Sequence, residues 1–294
     1  MSCYSPLKGY RSVDVDRSTG KRGIVFTPQK GFKDLPMEVP CGKCIGCKID
    51  RSKEWAVRCV QEASLHKENC FLTLTYAPEQ MPSNGSLCPQ TFTRFMKRLR
   101  KSVLPQKIRF FQCGEYGTRM ERPHHHAIIF GWVPKDLKLW RKKGEVSLFR
   151  SELVEKLWPF GFVTVGQVTY ESSAYIARYI LKKVNGPDAE EHYNGKFPEY
   201  ITMSRMPGIG KGWIEKYHND VYRNDTLVYG LGRITKPPRF YDKYYQQIEP
   251  EHFKEIEAER RKREAESDYN SEYRLKVRKR IQEIKLKNQE REIH

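Results

Sequence analysis

The stretch that most constrains this chain is His124-His125-His126 followed by Ala127-Ile128-Ile129-Phe130, three histidines opening an apolar run. The run from His124 to Trp132 reads as a β-strand, and Lys107 to Glu115 reads as another. A loop containing Gly117, Arg119, Arg122 and Pro123 joins them. Side chains alternate faces along a strand, so His124 and His126 are expected on one face and His125 on the other. Two imidazoles on one face can share a divalent cation. A hard oxygen ligand is expected to complete a site that acts on phosphate. Glu115 ends the preceding strand, where a tight hairpin would bring it beside the histidines. Mg²⁺ or Mn²⁺ is the expected ion. A histidine-rich surface turn is the plain alternative. A two-histidine, one-carboxylate iron oxygenase site is another, but the charge of the chain and a tyrosine pair argue against it.

That pair is Tyr175 and Tyr179, in a helix expected from Ser172 to about Val184 with Ser172 or Ser173 as cap. The i, i+4 spacing sets both phenols on one helix face, one turn apart, with Lys182 and Lys183 on the next turn. A phenol has a pKa of about 10 and is a poor nucleophile. A nearby cation favours the phenolate and offsets charge on a transferring phosphate, and Lys182 is placed for this. Two phenols on one basic helix suit transesterification of a phosphodiester. Taken alone, the pair reads equally as packing residues of an amphipathic helix. Tyr170 and Tyr116 are the next candidates for a nucleophile.

Lys and Arg number 54 against 36 Asp and Glu, a formal charge of +18. Such a surplus favours a polyanionic partner through phosphate contacts and counterion release. Candidate DNA contacts are Arg119, Arg122, Arg178, Lys183, Arg205 and Lys211. No apolar stretch is long enough for a membrane-spanning helix, and the N-terminus lacks the apolar core of a secretory signal. The chain is therefore expected in a reducing cytoplasm, with no membrane partner and with its 8 cysteines as thiols or metal ligands.

Further elements follow from periodicity. Asp50 to about His66 reads as a helix, Cys70 to Tyr76 as a strand, and Pro89 to Val103 as a basic amphipathic helix. Leu148 to Leu157 is expected as a helix and Gly161 to Val168 as a strand. Residues 1 to about 40 show few periodic apolar runs, and Lys196 to Trp213 reads as loop-rich. Hairpin-like strand pairs mixed with helices indicate an α+β layer.

The resemblance lies in the order of these motifs. Leu72-Thr73-Leu74-Thr75, then a His-x-His pair, then a Tyr-x-x-x-Tyr helix followed by lysine, resembles the HUH endonuclease superfamily. Cys41-Gly42-Lys43-Cys44-Ile45-Gly46-Cys47 followed by Arg51 to Cys59 looks like the N-terminal region of replication initiators of the Microviridae, especially the gokushovirus branch. Gly114-Glu115-Tyr116-Gly117, Arg122 to His126, and Ser204 to Trp213 are similar to the same family. The resemblance runs from about Cys3 to about Trp213. It implies an HUH-like antiparallel sheet flanked by helices. It also implies rolling-circle initiation on a circular single-stranded DNA phage genome, in the cytoplasm of a bacterial host. Such an initiator nicks the plus-strand origin of the replicative form, stays joined to the 5′ phosphate through a tyrosine, and leaves a 3′ hydroxyl for host polymerase and helicase. The second tyrosine then cuts the regenerated origin, and the strand is closed. One departure is His125, where the family has an apolar residue. It leaves open a register in which His125 is a ligand, although strand alternation prefers His124 and His126.

Cys41, Cys44 and Cys47 are one thiolate short of a tetrahedral zinc site. Cys3 is the candidate fourth ligand for a structural Zn²⁺, with Cys59 the alternate. An iron–sulfur cluster also fits the spacing, as do plain reduced cysteines around a turn. Pro207-Gly208-Ile209-Gly210 would let a backbone approach a phosphate, but a simple tight turn explains it as well. The expected organisation is a Cys-rich segment and helix over 1–66, a nuclease core over 67–186, a loop-rich extension over 187–245 and a charged helical tail over 246–294, either one long exposed helix or partly disordered. The rival functions are a non-catalytic zinc-containing nucleic-acid-binding protein and an HUH relaxase or transposase.

Overall fold

The computed structural model describes residues 3–18, 20, 22–117, 120–184, 186–230, 232–266 and 271–292, with the backbone alone at 143, 179–182 and 286–292. The chain divides into two units, Met1–Asp50 with Glu255–His294, and Arg51–Lys254.

In the first unit, β1 (Leu7–Val15), β2 (Arg22–Val25) and β3 (Gly31–Val39) form an antiparallel sheet in the order β2-β1-β3. These strands were not apparent from apolar periodicity, because only Gly9 and Ser12 of β1 are buried and the pairing rests on the backbone ladder. Gly31 lies opposite Ser12, where a Cβ would come within 2.4 Å of Tyr10 Cβ. Helix α1 (Ile45–Ser64) begins in this unit and continues into the second.

The second unit is organised by a seven-stranded sheet. Its strands are β4 (Asn69–Thr75), β5 (Arg109–Tyr116), β6 (Pro123–Phe130), β7 (Lys138–Lys143), β8 (Val146–Arg150), β9 (Val163–Gly166) and β10 (Tyr200–Met203), in the order β10-β5-β6-β4-β9-β8-β7. Every pairing is antiparallel. Strand alternation gives each face its own core. Cys70, Leu72 and Leu74 of β4 with Ala127 and Ile129 of β6 pack under α2 (Pro89–Ser102) and α3 (Glu152–Leu157). The α2 contribution is Phe92, Phe95, Met96 and Leu99, an i, i+3, i+4, i+7 stripe, each worth about 1.5–3 kcal/mol on burial. On the opposite face, Phe111, Cys113, Ile128 and Phe130 pack with Cys59 of α1 and with Ile176 of α4 (Tyr170–Lys182). β6 is therefore buried on both faces, and its one half-exposed residue is His124.

Three local expectations change. Leu148 to Leu157 is not one helix: β8 ends at Arg150, and Ser151 then caps α3 by accepting from the Val154 amide. The tyrosine helix starts earlier than expected. Its cap is Thr169, which exchanges hydrogen bonds with Ser172 in a capping box. The segment read as loop-rich supplies β10, which pairs Tyr200 with Gly114, and the start of α6 (Lys211–Arg223). Beyond it lie a short ladder of β11 (Leu227–Tyr229) and β12 (Arg233–Thr235), then α7 (Arg239–Ile248). The charged tail forms α8 (Pro250–Ala265) and α9 (Glu272–Glu292). The molecule is thus mixed α and β, with a large antiparallel sheet flanked by helices and a cysteine cluster near the N-terminus. Among the described residues, no helix is long and apolar enough to cross a membrane.

Candidate active site

The β5–β6 hairpin sets Glu115 opposite His124 and Cys113 opposite His126. The β4–β6 ladder sets Thr73 opposite His126 and Thr75 opposite His124. Directly opposed residues share a face, so Glu115, His124, His126 and Thr73 all project on the side covered by α1 and α4. Glu115 Oε1 lies 2.9 Å from His126 Nε2 and 3.7 Å from His124 Nε2. One ligand atom from each of the three falls within 4.8 Å of the others. Burial, and then the charge of His126, push the His124 pKa down against the pull of Glu115, which favours the neutral, ligating imidazole. The donor set of two ring nitrogens and one carboxylate fits a divalent cation. Three protein ligands leave positions open for water or phosphate oxygen on an ion that prefers about six.

Two neighbours of this set were missed in the sequence. Thr73 Oγ1 lies 3.1 Å from His126 Nδ1, holding the ring from its other nitrogen. The period-2 run Phe71, Thr73, Thr75 carried that signal. Gly117 faces the His124 ring, where a Cβ would come 2.8 Å from Cε1. Nothing local in the sequence marks that contact.

His125 belongs to the other face. It is fully buried among Tyr76, Phe92 and Trp158, with Nε2 3.1 Å from the Tyr76 hydroxyl and Nδ1 3.4 Å from that of Tyr200. Burial and then its two histidine neighbours take its pKa down to about 3. The register in which His125 joins the ligands is therefore not the one adopted.

Helix α4 brings Tyr175 over the site, its ring centroid 5.1 Å from that of His126 and nearly perpendicular to it. Ile176, the next residue, anchors the helix in the core beneath. The Arg178 guanidinium lies 5.9 Å from the Tyr175 ring. Tyr179 and Lys182 continue the helix, and their side chains lie outside the described residues. The two reserve tyrosines are engaged elsewhere. Tyr116 donates to the Phe197 carbonyl and accepts from the Leu87 amide. Tyr170 packs 4.7 Å from Tyr229, and burial followed by Tyr229 pushes its pKa up to about 12.

The basic candidates scatter more widely. Lys183 caps the C-terminus of α4. Arg122 donates to the Tyr76 carbonyl at 2.7 Å, which ties down the hairpin. Arg205 is exposed in the turn after β10, Lys211 pairs with Glu215 at 3.4 Å on the surface of α6, and Arg119 lies outside the described residues.

The glycine segment is explained by packing. A Cβ on Gly208 would meet the Phe240 ring at 2.9 Å, and one on Gly210 would meet the Tyr241 hydroxyl at 2.5 Å. The Gly210 amide donates to Glu62, and the Ile209 carbonyl accepts from Arg58. Glu62 also takes Arg109 at 2.5 Å and His66 at 3.4 Å, a buried hub that no sequence pattern announced.

In the first unit, Cys3, Cys41, Cys44 and Cys47 converge with their sulfurs within 4.8 Å of one another. The alternate, Cys59, is instead fully buried against Phe111, Cys113 and Ile128 in the second unit.

This fold, with its Glu-His-His set facing a tyrosine helix, falls in the region that matches a known family. Residues 69–184, from β4 to the end of α4, match the family described as replication-associated protein ORF2. The chain belongs to this family of replication-associated proteins. It is 34% identical over 269 residues to replication-associated protein VP4 of Bdellovibrio phage phiMH2K, an alignment covering 88% of this chain and 81% of that one. It is 32% identical over 270 residues to replication-associated protein ORF2 of Spiroplasma virus 4, covering 83% and 80%. Replication-associated protein ORF4 of Chlamydia phage 1 is 34% identical over 219 residues, covering 71% of this chain and 54% of the relative. No solved structure matches the chain.

Proposed function

We propose that this chain initiates rolling-circle replication of a small phage genome by nicking and rejoining one DNA strand, with an HUH-type arrangement at its centre. The observation that carries the proposal is the convergence of Glu115, His124 and His126 with the Tyr175 ring, 5.1 Å from His126, on one face of the sheet. Family membership supports a role in replication. The +18 charge supports a nucleic-acid partner.

In this reading Glu115, His124 and His126 hold Mg²⁺ or Mn²⁺, which would polarise a phosphate oxygen of the scissile bond. Thr73 keeps the His126 ring in the ligating orientation. The Tyr175 or Tyr179 phenol gives up its proton and its oxygen attacks phosphorus. The bond from phosphorus to the 3′ oxygen breaks, and that oxygen leaves as a 3′ hydroxyl after taking a proton. The 5′ phosphate stays on the tyrosine as a phosphodiester, so one ester is exchanged for another and the energy of the broken link is retained. The other tyrosine repeats the exchange at the regenerated origin, and the 3′ hydroxyl closes the first strand. Arg178 and Lys182 offset charge on the transferring phosphate. Arg119, Arg122, Lys183, Arg205 and Lys211 are the further candidates for holding the strand. The partners are single-stranded and replicative-form phage DNA, with host polymerase and helicase acting on the nicked product in the bacterial cytoplasm.

The test is incubation with single-stranded oligonucleotides tiled across the DNA that encodes the chain, with Mn²⁺ or Mg²⁺, resolved on a denaturing gel. One oligonucleotide should give a covalent protein–DNA adduct and a free 3′ fragment, both lost in EDTA. Absence of any adduct across the whole tiling overturns the proposal.

A further inference from the structure

The nicking reaction makes no use of the cysteine cluster, and its geometry admits a specific ligand. We propose that Cys3, Cys41, Cys44 and Cys47 form a closed tetrathiolate site for one structural Zn²⁺. Four sulfurs at about 2.3 Å from one tetrahedral zinc stand about 3.8 Å apart along each edge. The Cys3 and Cys44 sulfurs are 3.8 Å apart, and all four lie within 4.8 Å of one another. A polynuclear iron–sulfur cluster spreads its thiolates over separate irons and needs wider spacing, so these four suit a single ion.

The backbone is arranged around sulfur acceptors. The Cys41 amide points at Cys3 Sγ at 3.2 Å, the Cys44 amide at Cys41 Sγ at 3.3 Å, and the Tyr4 amide at Cys44 Sγ at 3.3 Å. N–H donors of this kind stabilise thiolate and orient it toward a metal. Gly42 adopts a left-handed φ of 72°, the turn that returns the chain so that Cys44 and Cys47 join Cys41. Four protein ligands leave no open position, which marks a structural site.

The placement indicates what the ion does. Leu7 of β1 pairs with Val39 of β3, so Cys3 ahead of β1 and Cys41 just past β3 meet where the two strand ends meet. This sheet buries few apolar side chains, and a unit with so little core gains stability from a metal staple. Zinc here clamps both ends of the sheet to the start of α1.

The experiment uses the full chain in a His124→Ala/His126→Ala background, which removes metal held by the β5–β6 site and separates this result from the nicking proposal. Elemental analysis of freshly purified protein should find one zinc per chain. Cys3→Ser/Cys44→Ser should lose it, whereas Cys59→Ser should keep it. Refilling with Co²⁺ should give thiolate charge-transfer absorption and the visible bands of a tetrahedral ion, both absent after the Cys3 and Cys44 changes. If those variants fail to fold, a mercurial thiol reagent added to the parent protein should release one zinc, read with a metallochromic dye. Iron in place of zinc, or no metal together with no cobalt–thiolate absorption, overturns the proposal.

Discussion

Thr73 Oγ1 and Glu115 Oε1 grip the two nitrogens of one ring, 3.1 Å from His126 Nδ1 and 2.9 Å from His126 Nε2. The ring is therefore oriented before any ion arrives, with Nε2 turned toward the atoms of Glu115 and His124. Thr73→Val keeps the shape and removes the hydroxyl. The metal requirement is expected to rise about 10- to 100-fold, seen as a rightward shift of adduct formation in a Mn²⁺ titration, with saturating Mn²⁺ restoring most of the yield. An unchanged titration curve would remove Thr73 from the site.

His124→Ala/His126→Ala is expected to abolish nicking while leaving affinity for duplex DNA nearly unchanged, because affinity comes chiefly from Lys and Arg. Gel shift and cleavage assays on the same preparation check this. Cleavage by the double variant in EDTA contradicts the metal assignment.

The tyrosines separate an initiator from a binding protein. Tyr175→Phe and Tyr179→Phe keep the ring and remove only the nucleophile. Each single variant should retain some cleavage and lose the joining step that closes a circle. The double variant should give no adduct on a denaturing gel. A persisting adduct would move the nucleophile to another residue.

Gly117→Ala places a methyl 2.8 Å from the His124 ring and so displaces a ligand rather than the fold. Adduct yield at limiting Mn²⁺ should fall, with the melting temperature nearly unchanged. A large drop in melting temperature would show that Gly117 serves the hairpin instead.

Glu62 supplies a pH prediction. Burial alone would raise its pKa, but the bonds from His66 and the Gly210 amide and the charge of Arg109 together hold it below the ordinary value. A carboxylate lowered in the fold contributes stability above its unfolded pKa of about 4.3 and loses that contribution as the pH falls further. Glu62→Gln should cost about 3–5 kcal/mol at neutral pH by leaving Arg109 without its buried partner. The gap to the parent protein should narrow below about pH 4 in urea denaturation followed by circular dichroism. A gap independent of pH would contradict the ionised state of Glu62.

Local chemistry was written in neighbouring residues and was legible from them. Period-2 alternation separated His124 and His126 from His125, the apolar stripe defined α2, and i, i+4 spacing aligned Tyr175 with Tyr179. The run ending at Glu115 and the run opening at His124 implied the hairpin that joins them. Apolar periodicity failed where strands bury little, as in β1, and where a polar cap divides an apolar stretch, as Ser151 does between β8 and α3. Tertiary structure alone decided that Thr73 braces His126, that Gly117 makes room for His124, that Cys3 rather than Cys59 meets the other three thiols, and that Glu62 joins Arg109 to the Gly210 turn. Side chains a turn or a strand step apart are positioned by backbone geometry that any stretch of sequence carries within itself. Partners 47 or 148 residues apart are chosen by how layers close over a shared core, and only the packed chain contains that information.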